Sequence, residues 1–175
     1  VSWMTEDGEE IVITTTRPEL ICACGIVLVH PDDKRYTHLI GKEINLPLPV
    51  NGRTTKVIIS SHHSVKMDFG SGVLMVCSFG DQNDVAVFRE FGLDPFVAIN
   101  LKGEMTEIAG PLSGLKVLDA RKKAIEILEE NNSLSSIVDH EQEIPVSERG
   151  NNPVEIILLK EWYVRQTHTL ERMNE

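Results

Sequence analysis

Two aspartates at the start of a predicted helix have the residue types and spacing best suited to chemistry. Asp81 and Asp84 lie in the segment GDQND, residues 80–84, directly before an apolar run. Acidic side chains are favoured in the first turn of a helix, where they cap backbone N–H groups and complement the helix dipole. The preferred interpretation of this spacing is therefore that the two aspartates cap the helix. Capping also holds a carboxylate still, so one aspartate can cap while the other binds an ammonium or hydroxyl group.

A run of three threonines followed by an arginine is the second candidate. The β-branched side chains of Thr14, Thr15 and Thr16 are typical of an ordinary edge strand, and Pro18 ends it. In a strand, Thr14 and Thr16 would share one face and Thr15 the other. Such hydroxyls could donate to an ester carbonyl or a ribose, and Arg17 could bind a phosphate. The structural and ligand-binding interpretations both stay open here.

Other familiar catalytic patterns do not occur in the sequence. The six histidines show no metalloprotease-type spacing, so no zinc site is predicted. There is no nucleophile elbow, phosphate-binding loop or dinucleotide-binding glycine pattern. The three cysteines form no CxxC pair, which indicates a reducing compartment, and Cys77 lies in an apolar run typical of a core residue.

Composition limits the classes of function that the chain could have. Its 175 residues are 41% hydrophobic and 25% charged, as in soluble globular proteins. The net charge of −10 argues against a broad nucleic-acid surface but leaves room for a pocket that holds one nucleotide end. No apolar run reaches membrane-spanning length and no secretory signal is visible, so we expect a cytoplasmic protein. The first residue is Val1, which suggests a piece of a longer chain.

The elements that must position these residues are short. A glycine turn at 69–72, a buried strand at 73–77 and a helix at 83–91 that ends at Gly92 are predicted around the aspartates. A longer helix is predicted at 115–131, with Leu118, Ile125 and Leu128 on its apolar face and Ala124 beside them. A short helix is expected at 34–39 and a polar lead-in at 1–10. Further strands are expected at 10–16, 25–30, 43–46, 56–61, 95–100, 134–140 and 154–159. The pattern predicts a mixed α/β fold, a small β-barrel-like core of short strands with peripheral helices, as one domain over 1–175.

Five segments in order resemble a known family. They are TTTRPEL (14–20), VHPDDKRYTHLIGKEINLPL (29–48), DFGSGVLMVCSFGDQND (68–84), KGEMTEIAGPLSGLKVLDARKKAIEIL (102–128) and ERGNNPVEIILLKEWYVRQ (148–166). Together they resemble the editing domain, or connective polypeptide 1, that is inserted in class I valyl-, isoleucyl- and leucyl-tRNA synthetases. The arginine, proline and glutamate after the threonines are most similar to the archaeal-type valyl enzymes.

The resemblance implies proofreading of an aminoacyl-tRNA. Threonine is nearly isosteric with valine, so a second pocket must hydrolyse the wrong ester, Thr-tRNA(Val), by means of a positioned water. The implied partners are a mischarged tRNA acceptor end and the rest of the synthetase. Editing would need no cofactor, whereas the parent enzyme would use ATP and magnesium. The alternatives are hydrolysis of Val-tRNA(Ile), as in the isoleucyl enzymes, and a non-catalytic insert that only binds tRNA.

The resemblance also implies roles for single residues. Asp84 corresponds to the aspartate that binds the α-ammonium group of the substrate. Asp81 and Cys77 correspond to positions that read the threonine hydroxyl in bacterial-like forms, although those forms carry threonine at position 77 and lysine at the position of Met75. The catalytic candidates are thus Asp84, Asp81 and Thr15, and the candidates for binding the ester and terminal adenosine are Thr14, Thr16, Arg17, Phe69, Met75 and Cys77.

Overall fold

A mixed sheet of six short strands lies at the centre of the fold. The computed structural model describes residues 1–48, 56–78, 80–141, 143–150 and 153–162. Its strands are β1 (Ser2–Thr5), β2 (Glu10–Val12), β3 (Cys24–Val29), β4 (Glu43–Asn45), β5 (Lys56–Ser61) and β6 (Val73–Cys77). They are arranged in the order β2-β1-β4-β5-β3-β6. Only β3 and β5 run parallel among these neighbours, and the other four pairs are antiparallel.

Two α-helices and three short 3₁₀ segments accompany the sheet in the described part of the chain. The helices are α1 (Gln82–Glu90) and α2 (Val117–Glu130), and the 3₁₀ segments are Pro18–Ala23, Thr37–Leu39 and Glu107–Leu112. None of the described helices is long and apolar enough to cross a membrane.

Strand β3 separates two apolar layers. Val27 and Val29 belong to the larger core, which also contains the buried alanines of α2. Ile26 and Leu28 point to the other side, where they pack with Phe88 of α1. A Cβ atom at Gly25 would run into the Phe88 ring, so glycine at this position lets α1 lie close to the strand. The position of α1, which begins at the two aspartates, is therefore set by the most buried strand of the sheet.

The predicted fold class is confirmed, whereas several of the predicted strands are wrong. The described strands form a half-barrel. The half-barrel is open, because β2 and β6 lie at its two edges and do not pair with each other. Residues 95–100 form only an isolated bridge between Ile99 and Met105, and no strand occurs at 134–140 or 154–159. Strand propensity reports a side chain's fit to a sheet surface and does not supply a neighbour with which to pair.

The start of the chain was also predicted wrongly. Residues 1–10 are not only a polar lead-in, because Ser2–Thr5 forms a strand between β2 and β4. Trp3 and Thr5 are buried while Met4 is exposed, which is the alternation of a half-buried strand over too few residues to be recognised. The strand predicted for 10–16 ends at Val12 instead of reaching the threonines.

The two predicted long helices are confirmed, with one correction to a helix face. Leu118 is 57% exposed, and α2 instead buries its small side chains together with Leu128. Ala124 is buried as predicted, and together with Ala120 it lets the helix approach the core closely. The helix expected at 34–39 is reduced to the 3₁₀ turn Thr37–Leu39. The last residues of the segment 148–166 lie outside the described residues.

Candidate functional site

The two aspartates take the capping arrangement that their spacing predicts. Asp81 is the N-cap of α1, and its Oδ1 accepts a hydrogen bond from the backbone N–H of Asp84 at 2.8 Å. The Asp84 carboxylate points back to the end of β6, where Oδ2 accepts from the backbone N–H of Cys77 at 3.2 Å. Asp84 is thus fixed from both sides, by a helix start and by a strand end.

The environment of Asp84 differs from that of an ordinary surface carboxylate. Its side chain is partly buried, whereas Asp81 is exposed. Burial raises the pKa of Asp84 to about 7, and the negative charge of Asp81 adds to the rise. A cation placed next to this carboxylate would stabilise its charged form and offset the free-energy cost of ionising a buried group. The arrangement is therefore suited to binding an ammonium group.

Gly80 makes room for the Asp84 carboxylate. A Cβ atom built at Gly80 would collide with Asp84 Oδ2 and would also contact Cys77. The carbonyl oxygen of Gly80 accepts a hydrogen bond from Arg17 Nη1 at 3.1 Å. A side chain at this position would therefore displace either the carboxylate or the loop that Arg17 holds.

Arg17 lies in an ion-pair network centred on a fully buried glutamate. Glu19 is 0% exposed and accepts from Arg17 Nε at 3.1 Å and from Arg121 Nε and Nη2 at 3.0 and 2.9 Å. Arg17 Nη2 also donates to Glu155 Oε2 at 2.6 Å. The network joins the 3₁₀ segment Pro18–Ala23 to α2 and to the loop before α1. In this structure Arg17 is held by protein acceptors, and its predicted contact with the terminal adenosine stays a prediction.

A surface cavity of about 320 Å³ lies next to the start of α1. Two of the predicted residues line it, Thr14 and Phe69, and Asn83 lines it directly before Asp84 in the chain. Phe69 is 65% exposed and makes an edge-on contact with the His140 ring. The remaining lining residues are Ser64, Val65, Lys66, Gly72, Val73 and Leu74. The cavity thus offers one exposed aromatic ring and several polar groups.

The three threonines lie just beyond strand β2, and their side chains are placed differently. Thr14 and Thr16 are exposed, while Thr15 is half-buried and its Oγ1 accepts from the backbone N–H of Arg17 at 3.0 Å. The turn at Gly70 packs against Thr14, since a Cβ there would touch its side chain. Thr15 therefore differs in burial from Thr14 and Thr16, as expected if Thr15 points to the opposite side of the chain. These residues nevertheless do not pair with another described strand.

Met75 and Cys77 are packed in the larger core rather than in the cavity lining. They are 9% and 2% exposed, and Val73 lies on the same face of β6. Burial raises the pKa of the Cys77 thiol well above its ordinary value. Cys77 contributes its backbone N–H to Asp84, and the substrate contacts that we expected from both side chains stay predictions.

Several residues at the site were not singled out by sequence. Asn83, Ser64 and Lys66 line the cavity without belonging to any recognisable spacing. Glu19 and Arg121 form the buried ion pair although they are far apart in the chain. The segment matches included Glu19, yet only the fold shows that its carboxylate is buried. One further group has metal-ligating atoms close together, namely His30, Asp32 and His63.

Sequence comparison identifies relatives along nearly the whole chain. It is 42% identical over 163 residues to a valine–tRNA ligase of Aeropyrum pernix, a match that covers 93% of this chain and 19% of the relative. It is 41% identical over 176 residues to that of Methanocaldococcus jannaschii, which covers all of this chain and 20% of the relative. The chain thus spans about one fifth of the length of these curated relatives. No protein-family model matches it.

Comparison with solved structures shows the fold. GlLeuRS-CP1 superimposes with a TM-score of 0.53 at 16% identity, covering 73% of this chain and 82% of that one. The LeuRS of Agrobacterium radiobacter K84, solved in a ternary complex with tRNA and LeuAMS, gives 0.56 at 21% identity, covering 74% of this chain and 18% of that one. The chain is therefore a homologue of one segment of the archaeal valine–tRNA ligases, and it has the fold of the CP1 editing domains of aminoacyl-tRNA synthetases.

Proposed function

We propose that this chain is the editing domain of a valyl-tRNA synthetase and hydrolyses the ester of mischarged Thr-tRNA(Val). The observation that carries the proposal is the Asp84 carboxylate, which is partly buried and held by Cys77 at the start of α1. The residue before it, Asn83, lines a cavity large enough for part of a nucleoside. The similarity to valine–tRNA ligases and the CP1 fold support it.

Asp84 binds the α-ammonium group of the threonyl ester. Its pKa of about 7 means that the free site holds the carboxylate partly protonated at neutral pH. The incoming ammonium ion stabilises the charged form and gains an attraction that is stronger in a partly buried site than in water. The binding energy thus fixes the ester with its carbonyl carbon in one position.

The chemistry is attack by water on the ester carbonyl. The water oxygen bonds to the carbonyl carbon, and the ester bond to the ribose oxygen breaks. One proton of the water passes to the ribose oxygen, so that threonine and tRNA with a free ribose hydroxyl leave. Cys77 does not serve as a nucleophile in this scheme, because its thiol is buried and its pKa is raised. Thr15 and Asp81 are the protein groups that we place beside the reacting ester, with positioning as their contribution.

Selection of threonine over valine depends on its hydroxyl group. Asp81 uses Oδ1 to cap α1, and we assign the reading of the hydroxyl to this exposed carboxylate. Valine has a methyl group at the same place, so the carboxylate would lose hydration when the ester binds without gaining a hydrogen bond. An unmade hydrogen bond to a charged group costs on the order of 1.5–3 kcal/mol, so about tenfold to a hundredfold discrimination is expected.

The terminal adenosine occupies the cavity between Thr14 and Phe69. The exposed Phe69 ring offers a surface on which a base can stack, a contact worth about 1–3 kcal/mol. Lys66, which also lines the cavity, brings a positive charge to a chain with a net charge of −10. Thr16 and Arg17 lie on the chain that leads from this cavity to the aspartates.

The wider setting follows from the relatives. We propose that residues 1–175 form one editing domain within a longer cytoplasmic synthetase, whose other parts bind tRNA and use ATP and magnesium for aminoacylation. With a net charge of −10, the excised domain is expected to bind tRNA more weakly than the parent does.

The test is a comparison of three charged tRNAs with the full-length parent enzyme. Thr-tRNA(Val), Val-tRNA(Val) and Val-tRNA(Ile) are each mixed with the parent, and the loss of the esterified amino acid is followed over time. We expect rapid loss from Thr-tRNA(Val) alone. Preferential hydrolysis of Val-tRNA(Ile) would indicate that the domain edits for an isoleucyl-tRNA synthetase. No acceleration of any of the three would indicate a non-catalytic insert.

A further inference from the structure

Two histidines and an aspartate meet where the parallel strands β3 and β5 end. His30 follows β3, His63 follows β5 by two residues, and Asp32 lies in the turn after β3. We propose that His30, Asp32 and His63 form a binding site for a divalent transition-metal ion of the zinc type. The proposal does not depend on the editing function, because none of the three residues was placed in the editing site.

The side chains already lie near the geometry that such an ion requires. Each of the three offers one ligand atom, and these atoms all lie within 4.8 Å of one another. The two imidazole rings have centroids 5.5 Å apart and meet edge to face at 80°. Ligands bound to zinc at about 2.0–2.2 Å lie roughly 3–4 Å apart. His63 and Asp32 are exposed, so their side chains can change rotamer to shorten these distances.

The backbone beneath the site is held by hydrogen bonds. The N–H of His62 donates to the Val29 carbonyl at 2.9 Å and ties the ends of β3 and β5 together. The N–H of Asp33 donates to the His30 carbonyl at 3.0 Å and closes the turn that carries Asp32. His30 is only 16% exposed. Little conformational entropy therefore remains to be lost when an ion binds, apart from that of two surface side chains.

The state of the His30 ring is compatible with metal ligation. Its Nδ1 accepts a hydrogen bond from the backbone N–H of Asp32 at 3.2 Å, so this nitrogen already acts as an acceptor in the structure. Asp32 Oδ2 lies 3.9 Å from the same nitrogen. An ion between them would replace a long hydrogen bond by a coordinate bond to each residue. Binding therefore needs no loss of a strong contact.

The neighbouring side chains of Asp33 and His62 already have other partners, so they are not counted among the metal ligands. Asp33 accepts from Arg35 through both carboxylate oxygens, at 2.9 and 2.6 Å. His62 contacts Ser64 at 2.6 Å and Glu90 at 3.2 Å. The set that remains is two imidazoles and one carboxylate, which suits zinc, nickel and related ions better than magnesium or calcium. Three protein ligands leave one coordination position open.

The site adjoins one wall of the cavity. His63 is followed directly by Ser64, Val65 and Lys66, all of which line that cavity. An ion that joins His63 to the turn after β3 would restrain this segment. We therefore expect metal binding to make the protein more resistant to unfolding, because only the folded chain brings the three ligands together.

The test is a zinc titration of the metal-free 175-residue chain in competition with a chromophoric chelator. The variants are His63→Asn and Asp32→Asn, and the control is His38→Asn, which alters an exposed histidine paired with Glu9. Circular dichroism verifies that each variant is folded. The NMR signals of the histidine side chains are followed in the same titration to identify which rings bind.

We expect one zinc ion per chain and an affinity about tenfold or more lower in His63→Asn and in Asp32→Asn. The His30 and His63 signals should shift, and the His38→Asn control should bind as tightly as the unaltered chain. The proposal is overturned if zinc does not bind, if both variants bind it as tightly as the unaltered chain, or if the control loses affinity equally.

Discussion

The Asp84 carboxylate accepts the backbone N–H of Cys77, with 3.2 Å between oxygen and nitrogen. This hydrogen bond joins the first turn of α1 to the last residue of β6, so helix and strand share one anchor. A carboxylate that is held in this way needs little rearrangement when it meets an ammonium group, which is the condition for strong electrostatic binding.

The raised pKa of Asp84 predicts a specific dependence of stability on pH. In the folded chain its pKa is about 7, whereas an unfolded aspartate has a pKa of about 3.9. The folded state therefore binds more protons than the unfolded state between these two values, and the free energy of unfolding falls as pH rises through this window. In Asp84→Asn this contribution is absent.

Urea unfolding at pH 4.5 and pH 7.5 measures the effect. Relative to the unaltered chain, Asp84→Asn should gain stability at the higher pH, on the order of 1–4 kcal/mol. Asp94→Asn, which alters an exposed aspartate, serves as the control. We expect it to change the free energy of unfolding by no more than about 0.5 kcal/mol at either pH. An equal pH dependence in Asp84→Asn and the unaltered chain would show that Asp84 ionises normally.

Gly80→Ala should disturb the site while leaving the fold intact. The added Cβ meets the Asp84 carboxylate, which must then move away from Cys77. We expect hydrolysis of Thr-tRNA(Val) by the parent enzyme to slow by about tenfold or more, which corresponds to one lost charge-assisted hydrogen bond. Initial rates of deacylation measure the effect.

Gly114→Ala separates this effect from a general loss of stability. Gly114 has a φ of +79° and nothing within 4 Å of an added Cβ, so alanine there is strained without touching the site. It should lower the unfolding free energy by about 1 kcal/mol and leave deacylation unchanged. If both variants slowed deacylation equally, the contact between Gly80 and Asp84 would not be the cause.

Glu19→Ala should destabilise the protein strongly. It removes the buried acceptor of three guanidinium N–H groups and leaves Arg17 and Arg121 without their shared partner. We expect a loss of about 3 kcal/mol in the free energy of unfolding, measured by chemical denaturation. Glu126→Ala breaks the exposed pair with Lys123 and should cost less than about 0.5 kcal/mol. Comparable losses in the two variants would contradict a structural role for the buried network.

The sequence predicted those parts of the fold that depend on local signals. The capping spacing of Asp81 and Asp84 is confirmed as the start of α1, and Gly92 follows its end with a φ of +62°. Strands β3, β5 and β6 were recognised because each is a short, β-branched apolar run bounded by turns. The strand expected at 95–100 has the same composition but lies where no neighbouring strand is available for a ladder.

The site was predictable in part, for a similar reason. The aspartates and Thr14 belong to segments that resemble a known family, whereas Ser64 and Lys66 lie outside those segments and reach the cavity only through the fold. His30 and His63 lie close together because β3 and β5 are parallel neighbours. A search for fixed metal-ligand spacings in the sequence does not detect such a pair. The pairing of strands far apart in the chain places these residues together, and the periodicity of the sequence does not predict that pairing.

Recognition of the α-ammonium group by Asp84 can be tested with a matched pair of ligands. One is a non-hydrolysable threonyl-adenosine analogue with the ammonium group, and the other carries a hydroxyl group in its place. Their affinities for the parent enzyme and for Asp84→Asn are measured by calorimetry at pH 7.5. The comparison cancels every contact that the two ligands share.

We expect the unaltered enzyme to prefer the ammonium ligand by about tenfold or more, as is typical of a charge-assisted hydrogen bond, and Asp84→Asn to lose most of this preference. If Asp84→Asn retained the full preference, or weakened the binding of both ligands by the same factor, Asp84 would not be the group that binds the ammonium.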